Sequence, residues 1–388
     1  MFKFIREWKQ FRAFTNYQNI NNEIIIYSES YNFWGHFEKI VKKLYINYNK
    51  KIIYLTSDNQ DKLLNNPPYE ITSFYIGSGI IRTILFLKLK GPLVIMTMPD
   101  LEVFHIKRSP EVLHYAYFFH SINSCHMAYR PHAFDFYDSI FTVGPRHDLE
   151  IRSLENNNRS PTKKIIQFGY PRLESLIENY QSLILSRTAS KPERIKILIA
   201  PTWGKNSLIE RHGGQFISSL INYGFDVTLR PHPETIKRCP NLIKKISKNY
   251  EKNSNFTLQS EVSSSQSLFD AHLMISDYSG AALEFSLATF KPVLFVNVPR
   301  KINNIKYYEH KLEPLEVLLR EKMGIIINEE NLDKISSHIY PLLSDYKIYK
   351  ENITQLRNQY IYNLGKSSEN GVLAIIEILD QKKKLLNK

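Results

Sequence analysis

Three short polar clusters in the second half of the chain combine the residue types that bind phosphate esters. Ala200-Pro201-Thr202-Trp203-Gly204-Lys205 supplies a hydroxyl, an indole, a flexible turn and a cation. Arg230-Pro231-His232-Pro233-Glu234 holds an arginine and a histidine between prolines that fix φ, which suits a ring that must meet a phosphate or a leaving group in one geometry. Ser276-Asp277-Tyr278-Ser279-Gly280 lies between an apolar run, Leu273 to Ile275, and a periodic segment from Ala281 to Ala288 without Pro or Gly. That is a strand, a turn and a helix start, where free backbone N–H groups and the helix dipole attract an anion. The alternative for this stretch is an ordinary βα loop with Ser or Asp as helix cap. Together the clusters describe a nucleotide-diphosphate pocket: a ring for the base, hydroxyls and N–H groups for phosphates, and His and Arg for developing charge.

The first half contributes His120, directly after the apolar run YAYFF, as candidate general base, with a capping or water-bonded loop histidine as the alternative. Asp100 and Glu29, each just after a strand-like run, are reserve candidates once partly desolvated. His120, His126 and His132 recur every six residues, which does not place them on one helical face, and no metal site is expected. No acidic pair of the DxD kind stands at a strand end, and no cofactor is expected either.

The elements that must position these residues follow from hydrophobic periodicity. From Glu23 onward, EIIIY, KIIYL, LVIMTM, YAYFF, SIFTV and IIQF alternate with helical stretches over His36 to Tyr48 and near Ile81 to Leu89. After a composition change from Ile177 to Arg194, the pattern restarts with IKILIA, FDVTLR, FTLQ, LMIS, PVLFVN and GIII, with helices over 214–223 and 240–248 and after SDYSG. This is an α/β protein with two parallel sheets, expected to face one another across a cleft lined by loops at the strands' carboxyl ends. The expected divisions are 1–20, a possible amphipathic helix; 21–180 and 190–345, two Rossmann-like domains; and 346–388, mainly helical, with a final cap near Gly365 to Glu369.

Hydrophobic content of 43% and charged content of 23% are those of a globular chain, and 388 residues suffice for two domains. The formal charge of +13 favours anionic partners without choosing among nucleotides, anionic lipid and nucleic acid. Cys125 and Cys239 stand far apart without zinc-site spacing, which fits a reducing cytoplasm. No apolar run is long enough to span a membrane, and no signal-peptide pattern opens the sequence. Residues 1–14 place Met1, Phe4, Ile5, Trp8 and Phe11 on one helical face, with Lys3, Arg6, Lys9 and Arg12 on the other. Such a helix suits an anionic membrane surface; the alternative is a helix packed on its own domain. Lys382, Lys383 and Lys384 read as a solvated end.

IAPTWGK, LRPHPE, ISDYSGAALEFSLATFKPVLF, the FGYPR of Phe168 to Arg172 and the YNLGKSSE of Tyr362 to Glu369 resemble motifs of the CDP-glycerol glycerophosphotransferase family, the TagB/TagF-like enzymes of teichoic acid and capsule synthesis. FFHSINS more loosely resembles that family's His-Gly-Thr step. The resemblance implies a GT-B architecture of two Rossmann-like domains, with the donor in the C-terminal one, and peripheral attachment to the inner face of the plasma membrane. It implies that His120 is base on the acceptor hydroxyl, and that His232 engages the donor pyrophosphate. Ser276, Asp277 and Ser279 then hold phosphate or polyol hydroxyls. Beside that resemblance, Arg230, Thr202, Trp203, Lys205, Tyr278, Gly280, Lys366 and Ser367 are further candidate substrate contacts. Two departures stand out: Gly280 and Leu283-Glu284 where the family reads Ser and a Phe-Asp pair, and Ser121-Ile122 where it reads Gly-Thr. They bear on the transferred group rather than on the nucleotide end.

The first expectation is therefore transfer of glycerol phosphate or a similar polyol phosphate from a CDP-linked donor to a lipid-linked or polysaccharide acceptor. The second is a GT-B glycosyltransferase using a CMP- or UDP-sugar in capsule or lipopolysaccharide assembly, with Glu284 on sugar hydroxyls. A nucleic-acid-binding or membrane-binding module would account for the charge but not for five ordered motifs, and no nucleic-acid partner is expected.

Overall fold

The computed structural model describes residues 2–17, 24–186, 194–260 and 264–386. The side chains of Met1, Lys3, Phe4, Lys383 and Lys384, and part of the expected 177–194 boundary, lie outside the described residues. By compactness the chain divides into two units. The first is Met1–His120, Tyr129–Arg172 and Tyr360–Lys388, and the second is Ser121–Ala128 and Leu173–Gln359.

In the first unit the strands are β1 (Ile24–Ser28), β2 (Ile52–Thr56), β3 (Ile71–Tyr75), β4 (Leu93–Met96), β5 (Tyr115–Phe118), β6 (Ser139–Thr142) and β7 (Lys164–Gln167). They form one parallel sheet in the order β3-β2-β1-β4-β5-β6-β7. β1, β2, β4, β5 and β6 are buried throughout, because helices cover both faces of a parallel sheet and leave no residue to alternate toward water. On one face Ile24, Ile26, Ile95, Ala116 and Phe118 pack with Val41 and Leu44 of the helix Glu38–Tyr48 and with Val372, Ile375 and Leu379 of the last helix, Ser367–Leu386. The last helix thus completes the first unit's core.

In the second unit β8 (Lys196–Ile199), β9 (Asp226–Leu229), β10 (Phe256–Leu258), β11 (Leu273–Ser276), β12 (Val293–Asn297) and β13 (Gly324–Asn328) run parallel in the order β10-β9-β8-β11-β12-β13. In both units a crossover reverses direction beside the first strand, and the carboxyl ends flanking that switch are where an α/β sheet binds ligands.

The N-terminal helix, Phe2–Tyr17, packs on its own unit: Phe14 is fully buried with its ring 5.4 Å from Phe74, and Phe11 and Glu7 are buried as well. Ile5 and Trp8 of the expected apolar face remain exposed, at 55% and 40%. One helix thus divides its apolar residues between core and surface. No described helix is long and apolar enough to cross a membrane.

Candidate active site

In the second unit the loop after β8 is held by its neighbours on both sides. Asp277 at the end of β11 is fully buried, and its two carboxylate oxygens accept the backbone N–H of Thr202 (2.7 Å) and of Leu208 (2.9 Å). Burial raises its pKa, while these two amides and Arg320 oppose the rise. Ser276 donates its hydroxyl to the carbonyl of Ala200 at 2.7 Å, so the exits of β8 and β11 are joined twice. On the other side the ring of Trp203 lies 6.0 Å from that of His232, which follows β9. Glu210 accepts from the Gly204 amide and from the Thr235 hydroxyl, each at 2.8 Å, and ties the same loop to the helix Pro233–Arg238. The three clusters expected from sequence therefore meet at adjacent strand ends of one sheet.

His232 caps the helix Pro233–Arg238, its Nδ1 accepting the Glu234 amide at 3.1 Å. A nitrogen that accepts from an amide carries no hydrogen, so in the neutral ring the hydrogen is on Nε2, a donor suited to a phosphate oxygen. Two cations frame Trp203: Lys301 Nζ stands 3.2 Å from the ring centroid and the Arg238 guanidinium 4.7 Å. Burial lowers the pKa of Lys301 to about 7, although the indole face and the carboxylates of Asp277, Glu210 and Glu234 favour its charge. Neither Lys301 nor Arg238 belongs to a motif. The only sequence signal for Arg238 is its place one helical turn after Glu234, with which it pairs at 2.6 Å.

The side chains of the Ser276 to Gly280 turn face inward. Ser276 and Asp277 bind backbone as described, the Tyr278 hydroxyl donates to Asn297 Oδ1 at 2.8 Å, and Ser279 Oγ caps the helix Gly280–Thr289 through the Ala281 amide. Buried Arg320 lies 4.5 Å over the Tyr278 ring and donates to Asn297 Oδ1 and the Val296 carbonyl. Sequence reasoning expected Ser276, Asp277 and Ser279 to hold ligand oxygens; here their side chains hold the turn itself. Glu284 is buried one turn further on. The segment Ser121–Ala128 belongs to this unit, and Asn123 Nδ2 donates to the Tyr278 carbonyl at 3.3 Å. Ser124 gives both its amide and its hydroxyl to buried Glu316. Arg230 is half-buried at the end of β9, and Lys205 is exposed.

In the first unit His120 follows β5, and its Nδ1 lies 3.0 Å from the Thr97 carbonyl. A carbonyl only accepts, so Nδ1 carries the hydrogen and Nε2 is the basic position, the reverse of His232. Phe33 packs edge-on against the ring at 4.9 Å, and Tyr170 donates to the His120 carbonyl at 3.1 Å. Buried His36, 6.5 Å from His120, is held neutral: burial first, then Arg172 and His120, put its pKa well below the ordinary value. Asp100, with φ of 67°, pairs with Arg130 at 3.0 Å, and burial raises its carboxyl against that partner. The Glu29 carboxylate contributes to raising the buried phenols of Tyr27, Tyr117 and Tyr137, after desolvation.

Lys366 and Ser367 also belong to the first unit; Lys366 is exposed and Ser367 is fully buried at the start of the last helix. Gly169, at φ of 101°, abuts them: a β-carbon there would stand 2.3 Å from the Tyr362 carbonyl and 2.8 Å from the Ser367 β-carbon. FGYPR and YNLGKSSE thus form one structural junction. Among the described residues no cluster of three His, Cys, Asp or Glu side chains is arranged to hold a metal ion.

The sequence pattern of the family described as CDP-Glycerol:Poly(glycerophosphate) glycerophosphotransferase matches residues 132–376, well over half of the chain. The chain belongs to this family. It is accordingly an enzyme of the glycerophosphotransferase kind. No curated protein sequence matches it as a relative. Among solved structures it is similar to the wall teichoic acid polymerase TagF (14% identity, TM-score 0.63, covering 98% of this chain and 95% of that one). It is also similar to the UDP-GlcNAc 2-epimerase of Neisseria meningitidis (14%, 0.58, 91% and 99%) and to a sucrose-phosphate synthase of Thermosynechococcus elongatus (10%, 0.55, 93% and 100%). At these identities the likeness is one of fold, and it makes this glycerophosphotransferase GT-B-like, with two Rossmann-like α/β domains. The matched segment holds the second unit's three clusters and both halves of the Gly169–Ser367 junction; His120 precedes it.

Proposed function

We propose that this glycerophosphotransferase takes a CDP-linked glycerol, or a CDP-linked polyol of similar size, as donor and a lipid-linked or polysaccharide hydroxyl as acceptor. The observation that carries the reading is the Asp277 carboxylate, which ties the Thr202–Trp203 loop to the SDYSG turn beside His232 inside the family's matched region. A rigid set of strand-end loops presenting an indole, an Nε2–H donor and cations suits a nucleoside diphosphate.

In the proposed reaction Nε2 of His120 takes the proton of the acceptor hydroxyl as its oxygen attacks the β-phosphorus of the donor. The bond from that phosphorus to the bridging oxygen breaks, and CMP leaves with the electron pair. His232 Nε2–H and the Arg230 guanidinium stabilise the charge that gathers on the departing phosphate. Two tautomers set by two backbone hydrogen bonds support this division, with a base at His120 and a donor at His232.

The N-terminal helix is proposed as a contact with the anionic inner face of the plasma membrane. Exposed Ile5 and Trp8 lie among Arg6, Lys9 and Arg12, a composition that binds the headgroup layer by apolar burial and charge together.

Thermal-shift measurements with CMP, CDP, UDP and GDP test the donor assignment, since a ligand that binds only the folded state raises the melting temperature. Stabilisation by the cytidine nucleotides is expected. Stabilisation by UDP alone would instead favour a sugar-nucleotide donor.

A further inference from the structure

Lys301 lies in the irregular segment after β12, outside every motif, yet its ammonium ends on the face of Trp203, 3.2 Å from the ring centroid. Arg238 stands over the same ring at 4.7 Å and the His232 ring is 6.0 Å away, so three basic side chains converge on one indole. The charged groups facing Lys301 are Asp277 from the turn after β11, Glu210 from the helix Leu208–His212, and Glu234 and Arg238 from the helix Pro233–Arg238. Each of the three carboxylates is already engaged: Asp277 by two amides, Glu210 by the Gly204 amide and Thr235, Glu234 by Arg238. Neighbouring Arg300 is paired with Glu313 at 2.8 Å. Lys301 is therefore a basic group kept beside negative charge that is committed elsewhere.

We propose that Lys301 is a donor-binding residue, which leaves the face of Trp203 to meet the negative charge of the nucleotide diphosphate. The proposal rests on the donor reading above and adds a residue to it. A diphosphate supplies the anion that the protein does not, and its approach favours the ammonium form over the neutral amine. Because burial sets the pKa of Lys301 at about 7, binding above that pH draws a proton onto the amine. Trp203 holds the side chain in reserve through a contact that a stronger electrostatic partner displaces.

The test is calorimetric titration of the full chain with CDP across a pH series above neutrality, in two buffers of different ionisation enthalpy, so that proton uptake is counted directly. Wild type is expected to take up close to one proton, with affinity for CDP falling by up to about tenfold per pH unit. Lys301→Arg, always charged, is expected to bind without that uptake and with level affinity over the same range. Lys301→Met is expected to bind roughly tenfold to a hundredfold more weakly near neutrality, again without uptake. If Lys301→Met or Lys301→Arg takes up the same proton as wild type, or Lys301→Met binds CDP as tightly, the proposal is overturned and the donor reading stands. Failure of wild type to bind CDP would remove the donor reading and this proposal with it.

Discussion

Ser121 Oγ lies 2.9 Å from the point where a β-carbon on Gly280 would stand, and Asn123 Oδ1 lies 2.8 Å from it. The motifs that the sequence resembles carry a small residue where Ser121 stands and a serine where Gly280 stands, so the two departures face each other across one contact. A side chain at 280 has no room while Ser121 and Asn123 keep their places, and Asn123 is held by the Tyr278 carbonyl. Gly280→Ser is expected to lower stability by about 1–3 kcal/mol through overpacking. Adding Ser121→Gly should recover part of that loss. Urea unfolding of the two single variants and the double variant checks the coupling; strictly additive effects would mean that the contact does not matter.

Asp277 gives a sharper stability prediction. Asn at this position keeps the shape but replaces one acceptor oxygen with an NH2 facing a backbone N–H. A buried amide left without its acceptor costs about 1–3 kcal/mol, so Asp277→Asn should shift the unfolding midpoint by that amount and weaken CDP binding. An unchanged midpoint would show that the Thr202 and Leu208 amides find other partners.

Lys301 also makes stability depend on pH, with a definite sign. Its folded pKa of about 7 lies below the ordinary value of 10.5, so between these limits the unfolded chain binds more protons and stability rises with pH. This contribution is complete above the unfolded pKa and is lost as pH falls through the folded one. Lys301→Met should therefore exceed wild type in stability most clearly near and below neutrality, with the gap closing toward pH 10. A gap that widens with pH would contradict the burial argument.

The membrane contact is tested without removing the N-terminal helix, because Phe11 and Phe14 belong to the core and their loss would expose it. Ile5→Ser with Trp8→Ser keeps Phe11 and Phe14 in place and gives up the Trp8–Phe11 ring contact at 5.5 Å. Co-sedimentation with vesicles containing phosphatidylserine should fall severalfold for the double variant, measured at a temperature where it stays folded; equal binding would refute the contact.

The legible parts of this protein are those encoded in local periodicity. Buried runs such as Ile24–Ser28 and Val293–Asn297 read as strands because both sheet faces are covered. β3 is not legible as a strand because, at the edge of its sheet, Thr72 and Ser73 are only half-buried and break the apolar run. The three strand-end clusters were legible as a group, but the direction of their side chains was not: Asp277 reads as a ligand until its oxygens are found on two amides from a loop about 70 positions earlier. The place of Lys301 is not legible at all, since its contact with the Trp203 ring arises only through tertiary folding. The last helix shows an apolar face through Val372, Ile375 and Leu379, but nothing in that periodicity tells which sheet it covers.

The most direct measurement of the central claim is CMP release by the purified enzyme from CDP-glycerol in the presence of a membrane-derived or polymeric acceptor. Release that depends on acceptor, and that falls by about 10²–10⁴-fold in His120→Asn with the fold retained, is the predicted result. Release only from CMP-sugars, or of UMP or UDP from UDP-sugars, with none from CDP-glycerol, would contradict it.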